Sequence, residues 1–254
     1  MTRTAVVRAT GLAQRFGART IYRDVTFDVA AGEVFVILGG SGCGKSTLMR
    51  QIIGLLPPNE GKVEVLGQDM YAAGVDIRDR IGVMFQSGAL FGSMTLLENV
   101  MLPLEMHTDM PPQARARLAS VKLGLVGLAD AAALMPAEIS GGMAKRAAIA
   151  RALALDPPLL FLDEPSAGLD PITSAGLDRL ILDLRHDLGA TFVVVTHELA
   201  SILAIADRCI MLDRTAQGII AEGDPRVLRD SSEQPMVRAF FRRELPNDAA
   251  GAPA

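Results

Sequence analysis

Gly39-Gly40-Ser41-Gly42-Cys43-Gly44-Lys45-Ser46-Thr47 follows directly on the apolar run Val34-Phe35-Val36-Ile37-Leu38. Helical spacing continues from Thr47 to Leu55, until Pro57-Pro58 stops it. The order is strand, glycine loop, helix. Gly39, Gly42 and Gly44 let backbone amides turn toward a polyphosphate, and the helix presents its amino end to the negative charge. In this pattern Lys45 reaches the β and γ phosphates and Ser46 ligates Mg²⁺.

Outward from the loop, residues 6 to 9 and 21 to 29 form short apolar clusters that predict an early strand-rich segment. Further strands are predicted at Lys62 to Leu66 and Ile81 to Phe85. From about Thr95 to Leu155 the spacing is helical, with Pro103, Pro111-Pro112 and Pro136 separating the pieces. The segment of about 90–155 is therefore expected as a helical subdomain inserted in an α/β core. Strand-helix alternation then resumes: Leu159 to Leu162, a helix over Thr173 to Leu188, Thr191 to Thr196, a short helix over Leu199 to Ala206, and Cys209 to Leu212. These runs are continuously apolar, as strands covered on both faces should be. One domain over 1–246 is expected, followed by a mobile tail at 247–254.

A chain of 254 residues can bury a large core. Its formal charge of -4, from 29 acidic and 25 basic residues, provides no broad basic field, and no nucleic-acid partner is expected. No uncharged apolar run reaches the ~18 residues that span a bilayer, and the segment from Met1 to Arg8 lacks a signal-peptide core. A soluble, cytosolic protein is expected. The two cysteines, Cys43 in the glycine loop and Cys209 on a predicted strand, imply no disulfide framework. Amide donors around Cys43 can lower a thiol pKa; the alternative is a small residue at a tight turn.

Asp163 ends the run Leu159-Leu160-Phe161-Leu162, at the carboxyl edge where parallel sheets expose ligand-binding groups. It can hold Mg²⁺ through water, and the adjacent Glu164 can orient and deprotonate an attacking water. Without the glycine loop, the same two acids before Pro165 would read as a solvated turn. His197 follows the strand Thr191 to Thr196 and so reaches the same edge, where an imidazole can bond a γ phosphate. Gln86, just past Ile81 to Phe85, has an amide that can touch Mg²⁺ or water, although spacing alone does not decide it. Ser140-Gly141-Gly142-Met143 opens a second helix with an N-cap hydroxyl and uncovered amides, either a plain cap or a second anion site.

With these motifs in this order, nearly the whole chain resembles the nucleotide-binding subunits of ABC transporters. The resemblance implies a P-loop NTPase of the ABC ATPase type, with a mixed core sheet, an N-terminal antiparallel β-subdomain and a helical insert. It puts Phe16 at the adenine-stacking position, Gly39 to Thr47 at Walker A, and Gln86 at the Q-loop. Ser140 to Met143 take the signature, Leu159 to Glu164 Walker B, Ser166 to Asp170 the D-loop, and His197 the switch histidine. It implies ATP hydrolysis in a head-to-tail dimer, each ATP lying between one subunit's Walker A and the other's signature. Ser87 to Thr95 would line a groove for a membrane permease, or would simply pack the helical insert.

Ile139 and Met143 depart from the common LSGGQ signature, and methionine lacks the polar reach of glutamine. With Val83 to Phe91, Glu98-Asn99-Val100, Ile139 to Ala152 and Asp170-Pro171-Ile172-Thr173, the chain is similar to the MlaF-type, MCE-associated lipid-transport ATPases. That similarity implies phospholipid as cargo, a permease of the MlaE type, a periplasmic MCE protein and a small STAS-domain protein. The protein would then sit at the cytoplasmic face of a bacterial inner membrane. Import ATPases for amino acids, lipoprotein-release ATPases and, further off, soluble ABC ATPases of DNA repair or translation share the scaffold. Pro235 to Arg243 is amphipathic, suited to docking on a partner or to capping its own core.

Overall fold

The computed structural model describes residues 4–72 and 77–243; the tail expected at 247–254 lies outside them. The chain opens as a long hairpin, β1 (Ala5–Phe16) and β2 (Arg19–Ala30), and enters β3 (Val34–Gly39), the glycine loop and α1 (Lys45–Ile52). β4 (Glu60–Val65), β5 (Gln68–Asp69) and β6 (Ile81–Met84) follow, then three helices: α2 (Leu96–His107), α3 (Pro112–Leu125) and α4 (Gly141–Ala152). The second half runs β7 (Leu159–Asp163), α5 (Pro171–Leu188), β8 (Thr191–Val195), α6 (Leu199–Ile205) and β9 (Arg208–Asp213). It closes with β10 (Gly218–Gly223), α7 (Pro225–Ser231) and α8 (Pro235–Arg242).

Two sheets result. The first, in the order β2-β1-β4-β5, is antiparallel throughout. The second, β10-β9-β3-β8-β7-β6, is parallel except for the antiparallel edge pair of β9 and β10. The expected mixed core sheet and antiparallel N-terminal sheet are both present. β3 shows why it is central: Val34, Val36 and Leu38 pack among the helices, while Phe35 and Ile37 pack toward the first sheet and α1. Successive residues of a strand face opposite ways, so only a run apolar at every position can fill both layers.

Register brings the functional strand ends together. Asp163 pairs with Val195, and Val195 pairs with Ile37 two residues before Gly39. Met84 pairs with Leu162, so Gln86 emerges level with Glu164. The crevice at these carboxyl ends is where open α/β sheets bind ligands.

Several expectations shift. β1 extends well beyond residues 6 to 9, because a register shift between Ala9 and Leu12 absorbs Gly11 without ending the strand. Pro103 lies inside α2 rather than separating helices. Burial of Leu96, Val100 and Leu104 in one core outweighs the backbone bond that proline removes. The amphipathic C-terminal segment is α8, and it caps its own core: Val237 and Phe241 are buried in the helical layer. β10 and α7 were not anticipated; neither carries a continuous apolar run.

Candidate functional site

The glycine loop holds its shape through contacts only glycine permits. A Cβ on Gly39 would lie 2.3 Å from the Leu212 carbonyl oxygen, and its φ of 144° is a region that side chains avoid. Lys45 Nζ donates to the carbonyls of Gly39 at 2.8 Å and Gly40 at 3.1 Å, which folds the ammonium over the loop. Cys43 is buried, and desolvation pushes its thiol up, so the small-residue reading holds over an activated thiol. Cys209, buried in β9, is pushed up to about 12 by desolvation.

A cavity of 530 Å³ opens over this loop, and Lys45, Ser46, Gln86, Glu164, His197 and Phe240 share its wall. The three strand ends therefore converge on the phosphate loop. His197 Nδ1 lies 2.7 Å from Glu164 Oε1; the imidazole is 66% exposed and the carboxylate side chain only 10%. Glu164 has a φ of 48°, which is uncommon for a residue with a Cβ, and its amide donates to Val195 O at 2.8 Å. Asp163 is buried beside it, and Oδ1 has no hydrogen-bond partner among the described residues. Desolvation, then the Glu164 charge, raises the Asp163 pKa, against the pull of Arg50, Lys45 and Lys145. An acceptor oxygen buried in this way suits a cation or a water donor.

The helix start at Ser140 lies elsewhere. Ser140 Oγ accepts from the Met143 amide at 3.3 Å and caps α4. Ser140 to Met143 do not line the cavity over the glycine loop; Gly141 borders a second cavity, of 700 Å³, shared with Asp163 and Gln86. Gly142 is a packing requirement, since a Cβ there would meet Thr173 Cγ2 at 2.5 Å. Met143 packs its apolar side chain against the helical core. Phe16, half exposed, ends β1 and does not line the cavity over the loop.

The loop from Ser87 to Thr95 is both packed and presented. Leu90 contacts the helical core while Phe91 is 50% exposed. Its backbone is fixed from two helices: Arg151 donates to Gly88 O at 2.8 Å and Ala89 O at 2.7 Å. Buried Asn99 accepts from Phe91 N at 2.8 Å and donates to the carbonyls of Phe91, Met94 and Thr95.

Five residues that shape the site were given no role there from the sequence. Lys145 and Arg50 line the second cavity with Asp163, Asn99 and Arg151 brace the loop, and Phe240 reaches the cavity mouth from α8. Phe240 sits beside buried Phe241 in the amphipathic segment, and Asn99, Lys145 and Arg151 fall within the stretches that carry the family similarity, without a role there being read for any of them.

Among known proteins, the ABC transporter family matches residues 22–167. A Mycobacterium leprae protein, "Probable ribonucleotide transport ATP-binding protein mkl", is 42% identical over 92% of this chain and 68% of its own. The chain thus spans about two thirds of the length of the mycobacterial relatives it matches. Escherichia coli K12 "Intermembrane phospholipid transport system ATP-binding protein MlaF" is 43% identical over 89% of this chain and 84% of its own. Among solved structures, the dimeric post-hydrolysis state of the ATP-binding cassette MJ0796, bound to ADP and Pi, superposes with a TM-score of 0.76. It is 31% identical and covers 86% of this chain and 98% of that one. The cbiO1 component of a Clostridium perfringens ABC transporter complex reaches 0.82 at 25% identity, covering 94% and 95%.

Proposed function

The chain belongs to the ABC transporter family as an ATP-binding, ATP-hydrolysing subunit, and from that premise we propose that it drives phospholipid transport between bacterial membranes. The observation that carries the hydrolytic part is the Glu164–His197 pair facing Lys45 across one cavity at the carboxyl ends of the sheet. The cargo rests on 40% and 43% identity to MlaF proteins of Haemophilus influenzae and Escherichia coli.

In this reading the amides of Gly39, Gly40, Ser41, Gly42, Cys43 and Gly44 cradle the phosphates, with Thr47 closing the loop and Phe16 stacking on the adenine. Lys45 leaves its carbonyl partners to neutralise the β and γ phosphates. Glu164 orients the attacking water and takes its proton as oxygen bonds to the γ phosphorus. The bond to the β–γ bridging oxygen breaks and ADP leaves. His197 holds Glu164 in place and stabilises the γ-phosphate charge, and Gln86 contacts the water and the nucleotide end.

Mg²⁺ fits the donors at hand. Ser46, Gln86 and Asp163 offer oxygens, and the unpartnered Asp163 Oδ1 is the kind of group such an ion relieves. Mg²⁺ usually keeps several waters and is held by one or two carboxylates together with phosphate oxygens, so these donors need not close a cage around it. When bound, Mg²⁺ supplies charge neutralisation at the β and γ phosphates.

Ser140, Gly141, Gly142 and Met143 serve the nucleotide of a second copy, in a head-to-tail dimer. Their separation from this chain's own phosphate cavity supports that, as does the dimeric state of the MJ0796 cassette. No helix among the described residues is long and apolar enough to cross a membrane, and the transport reading pairs the chain with a membrane permease. We assign that role to an MlaE-type protein engaged through the Phe91 loop, with an MCE protein and a STAS-domain protein in the assembly, at the cytoplasmic face of the inner membrane.

Ribonucleotide transport is the second reading, favoured by 42% identity to the mycobacterial proteins bearing that name. Co-expression with the genomic neighbours, purification in mild detergent and mass spectrometry of partners and bound lipid separates the two. An MlaE-like permease with an MCE protein and phospholipid is expected; a permease of another type with no lipid overturns the cargo.

A further inference from the structure

Lys145 is the only lysine in the first two turns of α4, and it points inward, at 9% exposure. A buried ammonium needs acceptors, and this one finds two main-chain oxygens from distant parts of the chain. Nζ donates to the Gln86 carbonyl, 59 residues away, and to the Glu164 carbonyl at 3.3 Å. Burial lowers its pKa, while the charges of Glu164 and Asp163 oppose that.

The two acceptors matter because of where they sit. Glu164 carries its side chain to His197 from a left-handed backbone conformation, φ 48°, which neighbours must hold in place. Its carbonyl has one other bond, from the Ala167 amide at 3.2 Å. Gln86 begins the loop that Arg151 of the same helix grips at Gly88 and Ala89. One helix therefore binds the loop at three carbonyls and the backbone of the hydrolytic residue at a fourth.

We propose that Lys145 is a positioning residue for hydrolysis: its ammonium ties the Gln86 loop to the Glu164 backbone, so that the loop and the carboxylate move together. This rests on the reading of Glu164 as the base for the attacking water. A displacement of about 1 Å in such a group costs ~100-fold in rate, so a tie of this kind controls turnover without touching nucleotide.

The test uses the full chain. Lys145→Met keeps the buried stem and removes the donors. We expect kcat for ATP to fall ~10-fold or more, with KM and the thermal midpoint little changed, and Lys145→Arg to recover most of the loss. Within a Glu164→Gln chain, Lys145→Met should lower the residual rate no further, because the two residues act through one group. Unchanged kcat in folded Lys145→Met overturns the proposal, as does a full additional loss in the Glu164→Gln background or an Arg variant as slow as the Met variant. If Lys145→Met does not fold, Lys145→Leu, which likewise has no donor, carries the same comparison. Wild-type hydrolysis by Glu164→Gln alone would instead overturn the role of Glu164, an outcome read separately from the Lys145 variants.

Discussion

His197 Nδ1 and Glu164 Oε1 stand 2.7 Å apart at the mouth of the phosphate-loop cavity, one projecting from the end of β8 and the other from the end of β7. A carboxylate only accepts, so with Glu164 ionised the Nδ1 position carries the proton and Nε2 is left to face the cavity. His197→Ala should lower kcat ~100-fold or more while ATP still binds. Glu164→Gln should lose turnover at least as severely and prolong the ATP-bound dimer. Phosphate release and nucleotide binding measured on each variant check both; normal turnover in either removes that residue from the mechanism.

Asp163, proposed as a Mg²⁺ ligand, is held where its charge costs stability. The fold raises its pKa, chiefly by desolvation, so folding penalises the ionised form relative to the neutral acid. Stability present below the shifted pKa is therefore lost as pH rises through it, the reverse of a salt-bridged aspartate. Asp163→Asn should remove that step and raise the thermal midpoint of the nucleotide-free protein at neutral pH, while hydrolysis falls ~100-fold or more. A lower midpoint at neutral pH would contradict the desolvation argument.

Gly142 faces Thr173 across the contact between α4 and α5, with room for no Cβ. Gly142→Ala should cost about 1–3 kcal/mol by urea unfolding. Adding Thr173→Ser, which removes the clashing methyl but keeps the hydroxyl beside Asp170, should recover most of that loss. Equal losses with and without the second change would show that the clash is not the cause.

A buried polar chain joins α1 to the strand that ends in Phe16. Tyr22 OH donates to Gln51 Oε1 at 2.8 Å, Gln51 Nε2 to Gln14 Oε1 at 2.7 Å, and Gln14 Nε2 to Arg15 O at 3.1 Å. Gln51→Leu strands both neighbours and should cost about 1–3 kcal/mol for each polar group left unpaired. Tyr22→Phe, which removes one donor at the end of the chain, should cost less. Denaturant midpoints rank the two.

Most of the α/β core could be read from the amino acids because its signals are local. The phosphate loop is contiguous, and Asp163, Glu164, His197 and Gln86 each sit just beyond an apolar run, so strand ends alone predicted their convergence. The features that escaped depend on contacts distant in sequence. Nothing around Lys145 announces a carbonyl 59 residues away, and nothing around Arg151 announces Gly88 or Ala89. Pro103 misled because its local preference was overruled by burial of Leu96, Val100 and Leu104. The segment at 235–243 had the pattern of a half-buried helix, but which surface it covered was set by the fold around it.

Mixing two inactive chains gives the most direct test of a paired ATPase. Ser140→Arg spoils the site completed on a partner, whereas Glu164→Gln spoils the chain's own site. In a mixed dimer both defects fall in one composite site and the other is intact. Each variant alone should be inactive, and co-assembly of the two, verified by different tags, should restore ATP hydrolysis. A mixed dimer that forms and stays inactive would contradict hydrolysis at sites shared between two copies.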